Sequence, residues 1–214
     1  MDRTYVVYGQ RASGSVPVEA TLLLLGEPYR VIERAPLESP EAGGVTEREM
    51  DAINPMQQVP ALRLPDGRLM TESAAILIHL ADTHPEARLS PAPDAPERPD
   101  FLRWMIFVAA QIYGLYWARD DSTRLAADKA HEAVIMERTA DRIAHCWRVM
   151  DTQIRPGLYI LGDDLSVLDL YVTVVSCWGP RRERFTREAP VMADIVRRVD
   201  SDPRLTAFWA ERFS

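Results

Sequence analysis

The chain has 214 residues, 47% of them hydrophobic, and a formal net charge of −7 from 25 basic and 32 acidic side chains. That length allows one large domain or two small ones, and an acidic chain without a long basic run is poorly suited to nucleic acid or an anionic membrane. No apolar span reaches the about 18 residues a membrane helix needs, the N-terminal MDRTYVVYG lacks a secretory pattern, and Cys146 and Cys177 are too few for a disulfide framework, so the expected protein is soluble and cytoplasmic with reduced thiols.

The β-branched and aromatic run TYVVY (4–8) predicts a strand. GQRASGS follows as a loop, and VPVEATLLLLGEPY predicts a mostly buried helix, with Pro17 in its first turn and Gly26 just past its end. YRVIE (29–33) predicts a second strand, so the first three elements form a βαβ unit with parallel strands. TEREMDAIN (46–54) reads as a polar helix that stops at Asn54-Pro55. PALRL and GRLMT flank the turn residues Pro65-Asp66-Gly67 and read as a hairpin. SAAILIHLAD (73–82) then predicts a helix burying Ile76, Leu77 and Leu80. The order β-α-β-α-β-β-α mixes parallel and antiparallel pairs in one small α/β layer fold.

Five prolines in residues 83–99 mark a linker, and from 100 to 214 the periodicity is helical throughout. Leu102, Met105, Ile106, Ala109, Tyr113 and Tyr116 share one helix face, and Ile143, Trp147, Met150 and Ile154 mark a second long helix. Ser166 and Asp169 have capping-box spacing, with Leu165 and Leu170 placed as a hydrophobic staple. RRERFTR (181–187) reads as a solvated loop or helix end. Two helices close the chain, near 188–200 and 203–212, the second started by Asp202-Pro203. The expected division is an α/β domain at 1–82, a linker at 83–99 and an all-α domain at 100–214.

Three motifs sharpen this outline: NPMQQVPAL at 54–62, MTESAAILIHLAD at 70–82 and LGDDLSVLDLY at 161–171. With the domain order and sizes, they resemble the cytosolic glutathione transferases over nearly the whole chain. The resemblance, which includes the family's bacterial members, implies an N-terminal thioredoxin-like domain and a C-terminal helical bundle. It implies a cis peptide before Pro60, which would leave the Val59 backbone free to pair with the cysteinyl backbone of glutathione as one extended peptide pairs with another. Ser73, expected as a helix cap, would hold the γ-glutamyl carboxylate, because helix N-termini offer free N–H groups and a positive dipole end; Glu72 would face the ammonium group.

The glutathione thiol is mostly protonated at neutral pH, so the family supplies a hydrogen-bond donor to favour the thiolate. This chain offers Tyr8, Ser13 and Ser15 in that region, and no cysteine. Tyr8 stands 18 residues before Gly26, similar to the tyrosine-type classes, whereas alignment on the serine and cysteine types falls near Ala12, one residue from Ser13. Ser13 is favoured because it follows the strand on a glycine-containing loop; Ser15 also reads as a cap and Tyr8 as a core aromatic. Tyr113 and Trp117 are candidates for the electrophile pocket, although aromatics at helical spacing also suit a plain core. The four histidines show no metal-ligand spacing, and no metal is expected. The implied activity is addition of glutathione to small apolar electrophiles by a homodimer. Two alternatives stay open: a glutathione-dependent peroxidase, isomerase or dehalogenase on the same site, or a non-catalytic interaction protein on the same fold.

Overall fold

The computed structural model describes residues 3–34, 44–179 and 182–213; Arg181 of the basic stretch and the first two residues lie outside them. β1 (Tyr5–Gly9) runs parallel to β2 (Tyr29–Glu33), with Tyr5 opposite Tyr29 and Gly9 opposite Glu33. Between them lies α1 (Val16–Leu25), whose residues are buried from Val16 to Leu22. It ends because Gly26 adopts φ 69°, a left-handed turn that glycine takes without a Cβ penalty. α2 (Glu47–Ile53) is started by a capping box between Thr46 and Glu49 and buries only Met50. β3 (Ala61–Arg63) and β4 (Leu69–Thr71) form the hairpin around Asp66-Gly67, giving the sheet order β2-β1-β3-β4.

The period-2 alternation of β1 sorts the layers. Tyr5 and Val7 pack with Val18 and Leu22 of α1 and with Ile76, Leu77 and Leu80 of α3 (Ser73–Thr83). Val6 and Tyr8 face the other way, onto Ala61 and Met50. The predicted β-α-β-α-β-β-α order therefore stands element for element.

The helical part begins with α4 (Arg98–Phe107), which continues through a π-helical stretch, Val108–Tyr113, into α5 (Gly114–Asp120). α6 (Lys129–Gln153) buries Ile143, Trp147 and Met150. α7 (Val167–Val175) is buried at all nine positions and is the centre of this part. α8 (Glu183–Glu188), α9 (Pro190–Asp200) and α10 (Thr206–Arg212) complete it. Among the described residues, no helix is long and apolar enough to cross a membrane.

Two local expectations are corrected, and an open alternative is decided. The buried face of α4 and the π-helical stretch is Phe101, Trp104, Met105, Val108 and Ile112, whereas Leu102 is 38% and Ile106 56% exposed. The predicted stripe looks partly into a cavity, while the core is filled by a second apolar face of the same helix, also at 3.6-residue spacing. Of the two readings of the basic stretch, the helix end holds rather than the loop: its described part caps and enters α8, where Phe185 is buried edge-on against Trp147 with ring centroids 5.1 Å apart. The last helix starts at Thr206 rather than at Pro203, after a turn in which the Asp202 carbonyl accepts from the N–H groups of Leu205 and Thr206.

Candidate functional site

A cavity of ≈ 410 Å³ lies between the sheet region and the α4–α5 helix. One wall comes from Val59, Pro60, Glu72 and Ser73, and the opposite wall from Ile106, Ala109 and Tyr113, with Tyr171 also lining the space. The Val59–Pro60 peptide is cis, and buried Pro60 leads directly into β3. Asn54 braces the approach to this turn: its amide donates to the Gln58 carbonyl at 2.8 Å, and its side-chain oxygen accepts from Met56 N–H at 3.1 Å.

Glu72 sits at the N-cap of α3 with φ 65°. That position belongs to Glu72 and not, as expected, to Ser73, which is the first residue of the helix. The left-handed turn at Glu72 directs the chain into the helix, whose first N–H groups have no intrahelical acceptor. The Ser73 hydroxyl lies 3.0 Å from that of Tyr171 on α7, a bond that spans 98 residues. Burial raises the pKa of Tyr171 and pushes Tyr113 up to about 12, so both phenols stay protonated as donors near neutral pH.

The loop between β1 and α1 reaches this cavity through Tyr113. The Tyr113 hydroxyl donates to the Val59 carbonyl at 3.4 Å, and a Cβ added at Gly14 would fall 2.2 Å from the Tyr113 hydroxyl oxygen. In this loop the Ser13 hydroxyl donates to the Gln10 carbonyl at 2.7 Å and lies 3.1 Å from Ser15 Oγ. Ser15 is fully buried and donates to Glu19 at 2.8 Å. It occupies the N-cap of α1 but makes no capping bond. Ala12, at φ 53°, offers its carbonyl to the Trp178 indole N–H at 2.7 Å. Trp178 in turn packs edge-on against Tyr113, with centroids 4.7 Å apart.

The family model described as the glutathione S-transferase N-terminal domain matches residues 15–83. The uncharacterized GST-like protein YncG of Escherichia coli strain K12 is 28% identical over 199 residues, covering 93% of this chain and 94% of that protein. Maleylacetoacetate isomerase of Mus musculus is 40% identical over 164 residues, covering 75% of this chain and 70% of the isomerase. This chain belongs to the glutathione transferase family. A solved glutathione transferase homologue from Sulfitobacter, with glutathione bound, superposes with a TM-score of 0.83 at 23% identity, covering 98% of this chain and 99% of that one. The thioredoxin-like N-terminal region followed by a helical C-terminal part is thus the glutathione transferase fold.

Within this transferase fold, the structure brings together Val59, Pro60, Glu72, Ser73 and Tyr113, with the Ser13–Gly14 loop against Tyr113. It leaves Tyr8 and Trp117 elsewhere. Tyr8 points to the α2 face of the sheet, where its hydroxyl accepts from Arg63 Nε and Nη2 at 3.4 and 3.3 Å. Trp117 is 42% exposed, and the Arg124 guanidinium lies over its ring at 5.0 Å. Sequence reasoning missed Tyr171 and Asn54, which line the cavity, and Trp178, which packs behind it on Tyr113. Asn54 was legible only as a helix stop, and Tyr171 stands in a helix too apolar all round to reveal which side chain faces the cavity.

Gly14 gives a direct test of the loop's approach. Gly14→Ala would drive a methyl into the Tyr113 hydroxyl and ring, at 2.2 and 2.9 Å. Overpacking of this kind costs about 1–3 kcal/mol. The expected result is a lowered melting temperature, partly recovered in Gly14→Ala/Tyr113→Phe, where the clashing oxygen is removed. No recovery in the double variant would refute this contact.

Proposed function

We propose that this protein binds glutathione in the cavity beside the Val59–Pro60 turn, ionises its thiol and adds it to a small apolar electrophile. The observation that carries the reading is the convergence on one cavity of a cis-proline turn, the open N-terminus of α3 at Glu72-Ser73, and the Tyr113 hydroxyl. The Val59 backbone pairs with the cysteinyl unit, Ser73 and the helix N–H groups take the γ-glutamyl carboxylate, and Glu72 faces the ammonium. Ser13 donates to the sulfur after turning its O–H away from the Gln10 carbonyl, a bond worth about 1 kcal/mol in stability. Tyr113 is the second donor, between that loop and Val59. Residues 1–82 hold glutathione, and the helical domain from 100 onward supplies the wall for the second substrate. A cytoplasmic homodimer fits the family habit.

A glutathione-dependent isomerase is the second reading, supported by the 40% identity to the mouse maleylacetoacetate isomerase. The cavity walls favour the first. Ile106, Ala109 and Ala110 are apolar, and among the described lining residues Glu72 carries the only formal charge. Such a site suits a neutral electrophile better than a dicarboxylate.

Thiolate absorbance during a pH titration with glutathione tests the mechanism. Bound glutathione should ionise well below its free pKa. Ser13→Ala should return the thiol toward the free value, Tyr113→Phe should move it part of the way, and Tyr8→Phe should leave it unchanged. Binding without any shift, or no binding, would replace the transferase reading with that of an interaction protein. Product analysis then separates conjugation from isomerisation.

A further inference from the structure

The loop that bears Ser13 is held from the far end of the chain. Arg212, on α10, is 5% exposed, and its carbonyl accepts from Ala12 N–H at 3.0 Å. Its guanidinium reaches two acids of the sheet region: Nη2 donates to Glu19 Oε1 at 3.0 Å, and Nη1 to Glu33 Oε1 at 2.9 Å. Nε lies 2.9 Å from Glu19 Oε2 as an ion-pair contact, out of line for a hydrogen bond. Glu19 is itself 1% exposed, and the carboxylate oxygen that meets Nη2 also accepts from Ser15 Oγ at 2.8 Å. Ser15 Oγ accepts from Gln10 N–H at 3.1 Å, and Ser15 N–H donates to Ser13 Oγ at 3.2 Å. A continuous chain of contacts, buried from Arg212 through Glu19 to Ser15, thus runs on to both ends of the Gln10–Ser13 loop.

Stability alone is a weak reason for this arrangement. A buried ion pair loses the hydration of both partners, and well-packed hydrophobic residues of the same volume often serve as well or better. What an apolar pair cannot supply is direction. The planar guanidinium fixes the carboxylate in one orientation, and the carboxylate fixes the Ser15 hydroxyl, which anchors the loop. Burial raises the Glu19 pKa, while the Ser15 hydroxyl and Arg212 act in the opposite sense and favour the charged form.

We infer that Arg212 and Glu19 are positioning residues for thiol activation: through Ser15 they hold the Gln10–Ser13 loop so that Ser13 faces the glutathione sulfur. This rests on the transferase reading, which it deepens by naming what keeps the donor in place.

The test compares wild type with Ser15→Ala and with the double variant Glu19→Met/Arg212→Met, which removes both buried charges together and leaves only Glu33, whose side chain is 46% exposed to water, without its arginine. Two quantities are followed: the pKa of bound glutathione and amide hydrogen exchange in residues 10–15. The double variant should keep a cooperative melting transition. Its bound thiol should titrate at least one unit higher than in wild type, and exchange in the loop should speed at least tenfold. Ser15→Ala should reproduce both changes with the ion pair intact, and it decides the matter if the double variant does not fold. Wild-type thiol pKa together with wild-type loop exchange in these variants would overturn the inference and leave the pair a packing feature. A wild-type protein that does not lower the thiol pKa would instead defeat the transferase reading, and the exchange measurement would still decide whether Arg212 holds the loop.

Discussion

Asp169→Ala is expected to cost roughly 3–5 kcal/mol, because it strips a buried acceptor from several donors at once. Asp169 is 1% exposed. One carboxylate oxygen accepts from the Ser166 N–H and hydroxyl at 2.8 and 2.6 Å, and the other from Ile160 N–H at 2.9 Å. These bonds cap α7, the most buried helix, and pin the preceding loop to it. Alanine leaves all the donors facing apolar surroundings, where an unpaired polar group costs about 1–3 kcal/mol. A urea melt reads the effect directly, and a loss under 1 kcal/mol would sink the argument.

The same residue should shape the pH dependence of stability. Burial pushes its carboxyl up to about 6, against the lowering effect of those hydrogen bonds. A folded-state pKa above the unfolded one means that the native state holds the proton more tightly. The stability from this group is fully present below the unfolded value of about 3.9. It falls as pH rises through about 6 and is flat beyond. In Asp169→Asn, which cannot ionise, this component should vanish from the plot of urea midpoint against pH. A slope unchanged in that variant would assign it to other groups.

Ser73→Ala should weaken glutathione binding about tenfold to a hundredfold, since a hydrogen bond to a charged group is worth about 1.5–3 kcal/mol. Binding should not vanish, because the backbone N–H groups at the start of α3 remain. Tyr171→Phe should have a smaller effect, about fivefold for a neutral hydrogen bond near 1 kcal/mol. It leaves the Ser73 hydroxyl in place and removes only the partner 3.0 Å away that orients it. Calorimetric titration of glutathione into the three proteins checks this order. A larger loss in Tyr171→Phe than in Ser73→Ala would mean that the phenol itself contacts the ligand.

These expectations combine features of different legibility. The capping box at Ser166, the glycine stop at Gly26 and the hairpin at Asp66-Gly67 are each made within a few residues. Such bonds depend on short spacings, which a sequence displays openly. Strand alternation was equally local: once Val7 faces α1 and α3, Tyr8 must face α2, which takes it away from the cavity. The Val59-Pro60 and Glu72-Ser73 pairs were legible as motifs of a known family, each standing next to an element boundary.

Other features belong to the tertiary structure. Periodicity announced a helix over residues 102–116 but could not say that Ile106 and Tyr113 line a cavity while Trp104 fills the core. Either face of that helix is apolar enough to fill a core. The partners Ser73–Tyr171 and Glu19–Arg212 stand 98 and 193 residues apart. A serine or a glutamate in a sequence carries no mark of which distant hydroxyl or cation will reach it, because packing of whole helices sets that geometry. The sequence by itself determined the order of elements, several of their caps and turns, and the family to which the chain belongs. Which face of each helix meets the sheet region, and which buried charges hold the Ser13 loop, was decided only when the helices packed.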